Sequence, residues 1–285
     1  MDENFKIVRV TDRESFKQLE AFQSIVWGRG EVIPYHVLIA FQNMGGIVLV
    51  AYDESNRPVG LLCGYNSYKD GKVFYYMHLC GVLPEYSGSE LTVKMKIKMR
   101  EHLLREGIEH AVWLIDPLNV MEAYVSIHKL RGLGESYQRN FYGLMRDPYN
   151  RGLESDRLLI KWNLKSKEVE EKISCSADEE DTNLRLDELD KSIIILRDGS
   201  FPRILDYKLN LNSEKFYLEI PMDLESIKKR DLSVAIEWRE VTRRIFENYM
   251  SKGYLITDVI RDLRNSRYYY VFEKCVRDYK APPKM

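Results

Sequence analysis

Apolar residues fall into two rhythms along this chain, and the switches between them mark out its elements. Lys6–Val10 is a short apolar run that reads as a first strand, and Thr11-Asp12 supplies a turn and a helix cap. From Glu14 to Val26, Phe16, Leu19, Phe22 and Ile25-Val26 recur with helical spacing. Trp27-Gly28-Arg29-Gly30 interrupts that helix, and Pro34 stands near the start of a second one ending near Asn43. Gly45-Gly46 opens a strand over Ile47–Ala51. The next strand is Pro58–Tyr65, and an Asp70-Gly71 hairpin leads into Val73–Leu83.

The helical period returns over Leu91–Arg105, followed by a buried strand, Ala111–Ile115, that stops at Asp116-Pro117. A helix is expected over Met121–Leu130 and strands over Ser136–Met145 and Arg157–Leu164. Lys165–Asp190 is polar and acidic, with Asp178-Glu179-Glu180-Asp181 in its middle, and reads as a solvated linker or exposed loop. Beyond it, strands are expected near Ser192–Arg197 and Lys215–Ile220. One helix then runs from Leu224 to Ser251, carrying Trp238, Val241, Ile245 and Tyr249. Gly253 serves as its C-cap, and Tyr254–Ile260 and Tyr268–Glu273 form a closing strand pair. Two strand-helix pairs around a β-meander predict an α/β (α+β) fold, a mixed twisted sheet covered by helices. The expected organisation is a main domain over 1–165, a linker over 166–190 and a C-terminal α+β subdomain over 191–285.

The junction at Pro84 is the most informative stretch. A strand breaks at a proline, makes a small polar turn through Ser87-Gly88-Ser89 and feeds a helix directly. Turn N–H groups and a helix N-terminus converging on one point can hold an anion. Glu90, in the first turn of that helix, suits the macrodipole but would repel a phosphate. The turn by itself is equally an ordinary strand-to-helix connection.

Composition narrows the function classes. The chain has 285 residues, 43 basic and 44 acidic, for a net charge of −1, so no global field recruits nucleic acid or an anionic membrane. Cys63, Cys80, Cys175 and Cys275 are far apart with no Cys-x-x-Cys spacing, and no His/Cys/Asp/Glu cluster has metal-ligand spacing. The N-terminus lacks an apolar signal stretch, and no run is long and apolar enough for a membrane span. A cytoplasmic protein without metal is expected.

Val82-Leu83-Pro84-Glu85-Tyr86 followed by a helix resembles the central motif of the GNAT acyltransferases. In that superfamily a strand splays after a bulge and the following turn holds acyl-coenzyme A. The likeness extends to Trp27-Gly28, Ile33-Pro34-Tyr35-His36, Gly45-Gly46, His78–Tyr86, Asp116-Pro117-Leu118, Asn140-Phe141-Tyr142-Gly143 and Ser155-Asp156-Arg157. It covers roughly residues 5–165. The sequence departs from the family at the turn, where Ser87, Glu90 and Thr92 stand in place of Arg/Gln, Gly and Gly/Ala. A second departure is Glu122 and Ser126 on the later helix.

The resemblance implies a GNAT-like fold and transfer of an acyl group, an acetyl group first, from acyl-CoA to the amine of a small molecule or amino acid. Backbone at Leu79, Cys80, Gly81, Val82 and Leu83 would pair with the pantetheine arm. Ser87, Gly88 and Ser89 would meet the pyrophosphate, and Lys94 could add charge unless it simply shares a solvated helix face with Lys96 and Lys98. His78 is the base candidate, since an unperturbed imidazole titrates near neutrality. Tyr142 and Tyr124 compete as the acid for the thiolate, Tyr124 sharing a helix face with His128. Trp27 and His36 would line the acceptor side. The expected co-substrate is acetyl-CoA or another acyl-CoA, with a small-molecule amine acceptor, no nucleic acid, no membrane and a homodimer as the oligomer to test. The alternative is a degenerate GNAT-fold binding protein that has lost its pyrophosphate grip.

Overall fold

Local signals start most elements of the computed structural model, which describes residues 5–87, 90–145, 147, 149–174, 186–197, 201–262, 265 and 267–274. In chain order these are β1 (Lys6–Arg9), α1 (Arg13–Val26), α2 (Tyr35–Asn43), β2 (Ile47–Tyr52), β3 (Pro58–Lys69), β4 (Lys72–Val82), α3 (Leu91–Arg105) and β5 (His110–Ile115). There follow α4 (Val120–Ala123), β6 (Leu133–Gln138), β7 (Arg157–Asn163), α5 (Lys167–Ser174), β8 (Asp190–Lys191), β9 (Ile193–Leu196) and β10 (Arg203–Tyr207). The last are β11 (Lys215–Ile220), α6 (Leu224–Arg230), α7 (Leu232–Ser251), β12 (Tyr254–Asp262) and β13 (Arg267–Lys274).

Asp12 caps α1 as its position suggests, accepting from the Ser15 N–H at 2.8 Å. Gly253 ends α7 with φ +86°, a conformation that glycine adopts without strain. Several expectations are corrected. The helix expected over 224–251 is two helices, because Asp231 leaves helical geometry to accept from the Ser233 and Val234 N–H groups and so starts α7 afresh. The helix after Pro117 is α-helical only to Ala123 and continues as a π-helix over Tyr124–Lys129. The strand expected over 136–145 ends at Gln138, where Asn140 takes a positive φ of 44° in a turn. Part of the expected acidic linker is α5, whose Val169 is buried. Residues 175–185 lie outside the described part.

The chain divides into two compact units. Unit 1 comprises 1–113, 146–148 and 162–173, and unit 2 comprises 114–145, 149–161 and 174–285. A boundary at 165 was expected; the division instead falls inside β5 and β7. Residues 114–145 and 149–161 group with the C-terminal part because β6 pairs with β7 and, through Ile256↔Gly134, with β12.

In unit 1 the strand order is β1-β2-β3-β4-β5, antiparallel through β4, with β5 parallel to β4. Ile47–Ala51 of β2 are all fully buried, as a strand covered on both faces should be. The returning segment at Trp162 is tied in here: its ring meets Trp113 edge-on at 6.0 Å, and the Leu164 N–H donates to Glu109 O at 2.9 Å. In unit 2 the order is β7-β6-β12-β13-β11-β8, with β9 and β10 as a separate pair. Helix α7 lays Trp238, Ile245, Phe246 and Tyr249 into this unit's core, where Phe246 and Tyr249 meet Phe216, Tyr254, Tyr270 and Phe272.

Candidate functional site

The site in unit 1 begins with a register shift. Strand β4 pairs with β3 from Lys72 to Val82, but Cys63 faces Leu79 while Gly64 faces Met77, so His78 is the extra residue of a β-bulge. On its other edge β4 pairs with β5 only at Tyr75↔Ala111 and Tyr76↔Val112. The splay therefore begins after Tyr76, well ahead of the break at Pro84. The bulge explains this, because it raises the local twist and turns the following backbone off the parallel ladder. From Met77 to Val82, β4 is laddered on one edge alone.

The bulge turns His78 outward into an aromatic cluster from three elements. Phe41 of α2 meets it edge-on at 6.3 Å and Tyr76 lies 6.2 Å away, while Tyr65 of β3 contacts both of those rings at 5.1 and 5.5 Å. His78 remains exposed, yet desolvation by its surroundings lowers its pKa below the ordinary histidine value. Desolvation thus favours the neutral imidazole. Phe41, Tyr65 and Tyr76 are absent from the sequence reading because nothing local links them; only the sheet and the packing of α2 bring them together. Of the two residues expected on the acceptor side, Trp27 lies on β4, its ring seated where a Cβ on Gly81 would be. His36 is exposed and contacts Tyr35 edge-on at 5.8 Å, so α2 delivers Phe41 rather than His36 to His78.

Leu79, Cys80, Gly81 and Val82 are half-buried on the splayed part, and Leu83 is buried. Neither Cys63 nor Cys80 is in a disulfide, and burial pushes the Cys63 thiol far up. The turn is less open than expected. Pro84–Tyr86 forms a single 3-10 turn in which the Ser87 N–H donates to Pro84 O at 3.1 Å, so that amide is already used. Gly88 and Ser89, also expected there, lie outside the described residues. Glu90 occupies the N-cap of α3 without capping it through its side chain. The sequence reading overlooks Arg57, which pairs with Glu85 at 3.0 Å and with Asp53 at 3.2 Å and so brings a cation to the turn. An apolar cavity of about 270 Å³, lined by Phe22, Ile25, Pro58 and Leu83, lies beside it.

Lys96, read with Lys94 and Lys98 as a solvated face, is fully buried, its ammonium 5.0 Å from the centre of the Trp113 ring. Lys94 is exposed.

Both tyrosines named as acids belong to unit 2. Tyr124 stacks on His128 at 4.8 Å, with Tyr268 edge-on and the Arg261 guanidinium over its ring at 5.0 Å. His128 Nδ1 lies 2.8 Å from Asp258 Oδ1. Burial alone would raise the Asp258 pKa, but His128 and Arg131 bring it below the ordinary carboxylate value. Tyr142 is exposed, with Arg157 over its ring at 5.2 Å. Its segment is stapled in place: the Asn140 N–H donates to Asp156 Oδ1 at 2.9 Å and the Tyr142 N–H to Ser155 Oγ at 3.0 Å. The two family-like stretches, 140–143 and 155–157, thus hold each other. Asp156 also accepts two bonds from Arg243, at 2.8 and 2.9 Å.

Among the described residues, no group of His, Cys, Asp and Glu could hold a metal, and no helix is long and apolar enough to cross a membrane.

No family model and no curated protein matches the chain. Among solved structures it is similar to the acetyltransferase of the GNAT family from Streptococcus pneumoniae, at 14% identity over 56% of this chain and 99% of that one, with a TM-score of 0.46. It is also similar to the ribosomal-protein-S18-alanine N-acetyltransferase from Escherichia coli, at 10% identity over 57% and 96%, TM-score 0.44. A third is the NatC complex bound to Gag peptide and CoA, at 13% identity over 56% and 98%, TM-score 0.44. In unit 1 the bulged and half-paired β4, the break at Pro84 and the helix that follows at once form a mixed sheet with a helix starting at its open edge.

Proposed function

We propose that the chain transfers an acyl group, an acetyl group first, from acyl-CoA to the amine of a small molecule or amino acid. The observation that carries this is the edge of β4, laddered on one side only from Met77 to Val82 and bearing a bulged His78. The amides of an extended pantetheine arm can pair with such an edge as an added strand does. Acyl-CoA supplies the activated thioester, and the chain's own residues supply position and proton transfer. His78, its neutral form favoured by desolvation, takes the proton from the acceptor amine. The faces of Phe41, Tyr65 and Tyr76 suit the ammonium form of that amine before it gives up its proton.

A second reading is favoured by the turn. With Glu90 at the helix start and the Ser87 amide already bonded, the diphosphate has little to hold it, which suits a GNAT-fold protein that binds without catalysis. A calorimetric and thermal-shift titration with acetyl-CoA, succinyl-CoA and free CoA, followed by transfer assays over an amine panel, separates the two. Binding with transfer is expected. Binding of a CoA ester without transfer to any amine selects the second reading, and failure of every CoA species to bind overturns the first and leaves the second.

A further inference from the structure

Outside that site, unit 2 contains a cavity of about 280 Å³ whose charges do not balance. Its floor is Glu219, at the end of β11 and only 2% exposed. Three cations converge on this one carboxylate: Arg197 by a close ion pair, Lys191 at 3.7 Å and Arg267 Nε at 3.8 Å. The Arg267 Nε is buried and has no hydrogen-bond acceptor. Lys191 and Arg197 both have lowered pKa values, from desolvation first and then from repulsion by neighbouring arginines. Arg230, at the end of α6, lines the same cavity and makes no ion pair with any described residue. The other acid in the lining, Asp223, is committed to α6, accepting from the Ser226 N–H at 2.9 Å and the Ser226 hydroxyl at 2.5 Å. Among the described residues, three cations therefore line the cavity, Arg197, Arg230 and Arg267, with Lys191 behind them on Glu219, against one buried carboxylate and one engaged elsewhere.

Apart from Ser226, the rest of the lining is apolar, with Phe201, Pro202, Ile220 and Met222 among it. A cluster built only to neutralise Glu219 would need one arginine; among the described residues, Arg230 and Arg267 face the cavity without a counter-charge of their own. Guanidinium groups hold carboxylates and phosphates through paired, charge-assisted bonds. The volume is at the small end of ligand sites, enough for a molecule of about a dozen non-hydrogen atoms. We propose that this cavity binds a small amphiphilic anion, a carboxylate or phosphate monoester carried on an aromatic or branched apolar body, with its anionic end on Arg230 and Arg267 and its body against Phe201 and Met222. The proposal is independent of acyl transfer and uses none of its residues.

The test is calorimetry on the full chain at low salt with phenylacetate, phenyl phosphate, inorganic phosphate and benzylamine. At least one of the two aryl anions should bind, inorganic phosphate should bind more weakly and benzylamine not at all. Arg230→Gln removes an unpaired surface cation and should leave the melting temperature near that of the parent while weakening the aryl anion about tenfold or more. Phe201→Ala should weaken the aryl anion but leave inorganic phosphate unchanged. The better-binding aryl anion identifies the head group. No binding by either aryl anion, or equal binding by parent and Arg230→Gln, overturns the site. Inorganic phosphate binding as tightly as the aryl anions overturns the amphiphilic class.

Discussion

His78 and Gly81 lie three residues apart on β4, and the packing asks opposite things of them. At His78 the bulge releases the side chain, so its role rests on its ring. His78→Gln preserves much of the shape and removes the titratable base; kcat for acyl transfer should fall about 10²–10⁴-fold while the Kd for CoA esters stays near the parent's. Because a base must be deprotonated to act, the parent's rate should rise with pH through the His78 pKa. Desolvation lowers that pKa. The acidic limb should therefore fall below the usual histidine midpoint of about 6.5 and vanish in the variant. Full retention of kcat in His78→Gln would make the residue structural. At Gly81 the constraint is space, since any Cβ there collides with the Trp27 ring. Gly81→Ala should lower stability by about 1–3 kcal/mol, the usual cost of overpacking. Trp27→Leu in the same chain should recover part of it, as read by urea denaturation. An unchanged midpoint in Gly81→Ala would mean that Trp27 moves aside at no cost.

At the scale of elements, the proposed acyl transfer depends on the connection from β4 to α3, where the coenzyme A diphosphate would sit. The break at Pro84 and the start of α3 at Leu91 are local events, legible from the residues themselves. What the residues could not tell is that the Ser87 amide turns inward to Pro84 and that Arg57 arrives at the turn from β3's approach. Glu90 is the remaining obstacle to a diphosphate at this helix start. Glu90→Gly should tighten CoA binding, with the largest gain at low salt, where the repulsion is least screened. Calorimetry at two salt concentrations checks this; unchanged or weaker binding in a folded variant would move the diphosphate away from the turn.

The whole chain is partitioned differently from its apparent order of segments. Residues 191–285 look self-contained by period, yet their long helix α7 carries two buried arginines that depend on earlier sequence. Arg239 donates to Asp116 at 2.6 Å, and Arg243 to Asp156. Burial alone would lower both arginine pKa values, but these carboxylates raise them above the ordinary value, so both pairs are charged. A fragment of 191–285 would leave those two charges unpaired and β12 without β6, and breaking one buried pair alone typically costs about 3–5 kcal/mol. It should show no cooperative thermal transition by circular dichroism, whereas the full chain should. A cooperative transition in the fragment would restore an independent C-terminal domain.

The sequence by itself determined what depends on neighbours within about four residues. The cap at Asp12, the hairpin at Asp70-Gly71, the stop at Pro84, the apolar run of β2 and the cap at Gly253 are all of this kind, as is the element order that made a GNAT-like sheet readable. Tertiary structure decided everything that joins distant stretches. Lys96 has the period of a surface residue yet is fully buried, its ammonium over the Trp113 ring. The splay after Tyr76 follows from a one-residue mismatch between β3 and β4, which neither strand encodes alone. The ring cluster at His78 and the pairing of α7 with Asp116 and Asp156 depend on which segments become neighbours. Local propensity and period report on one segment's preferences, while pairing register and burial are properties of two segments at once, and only the folded chain specifies the second.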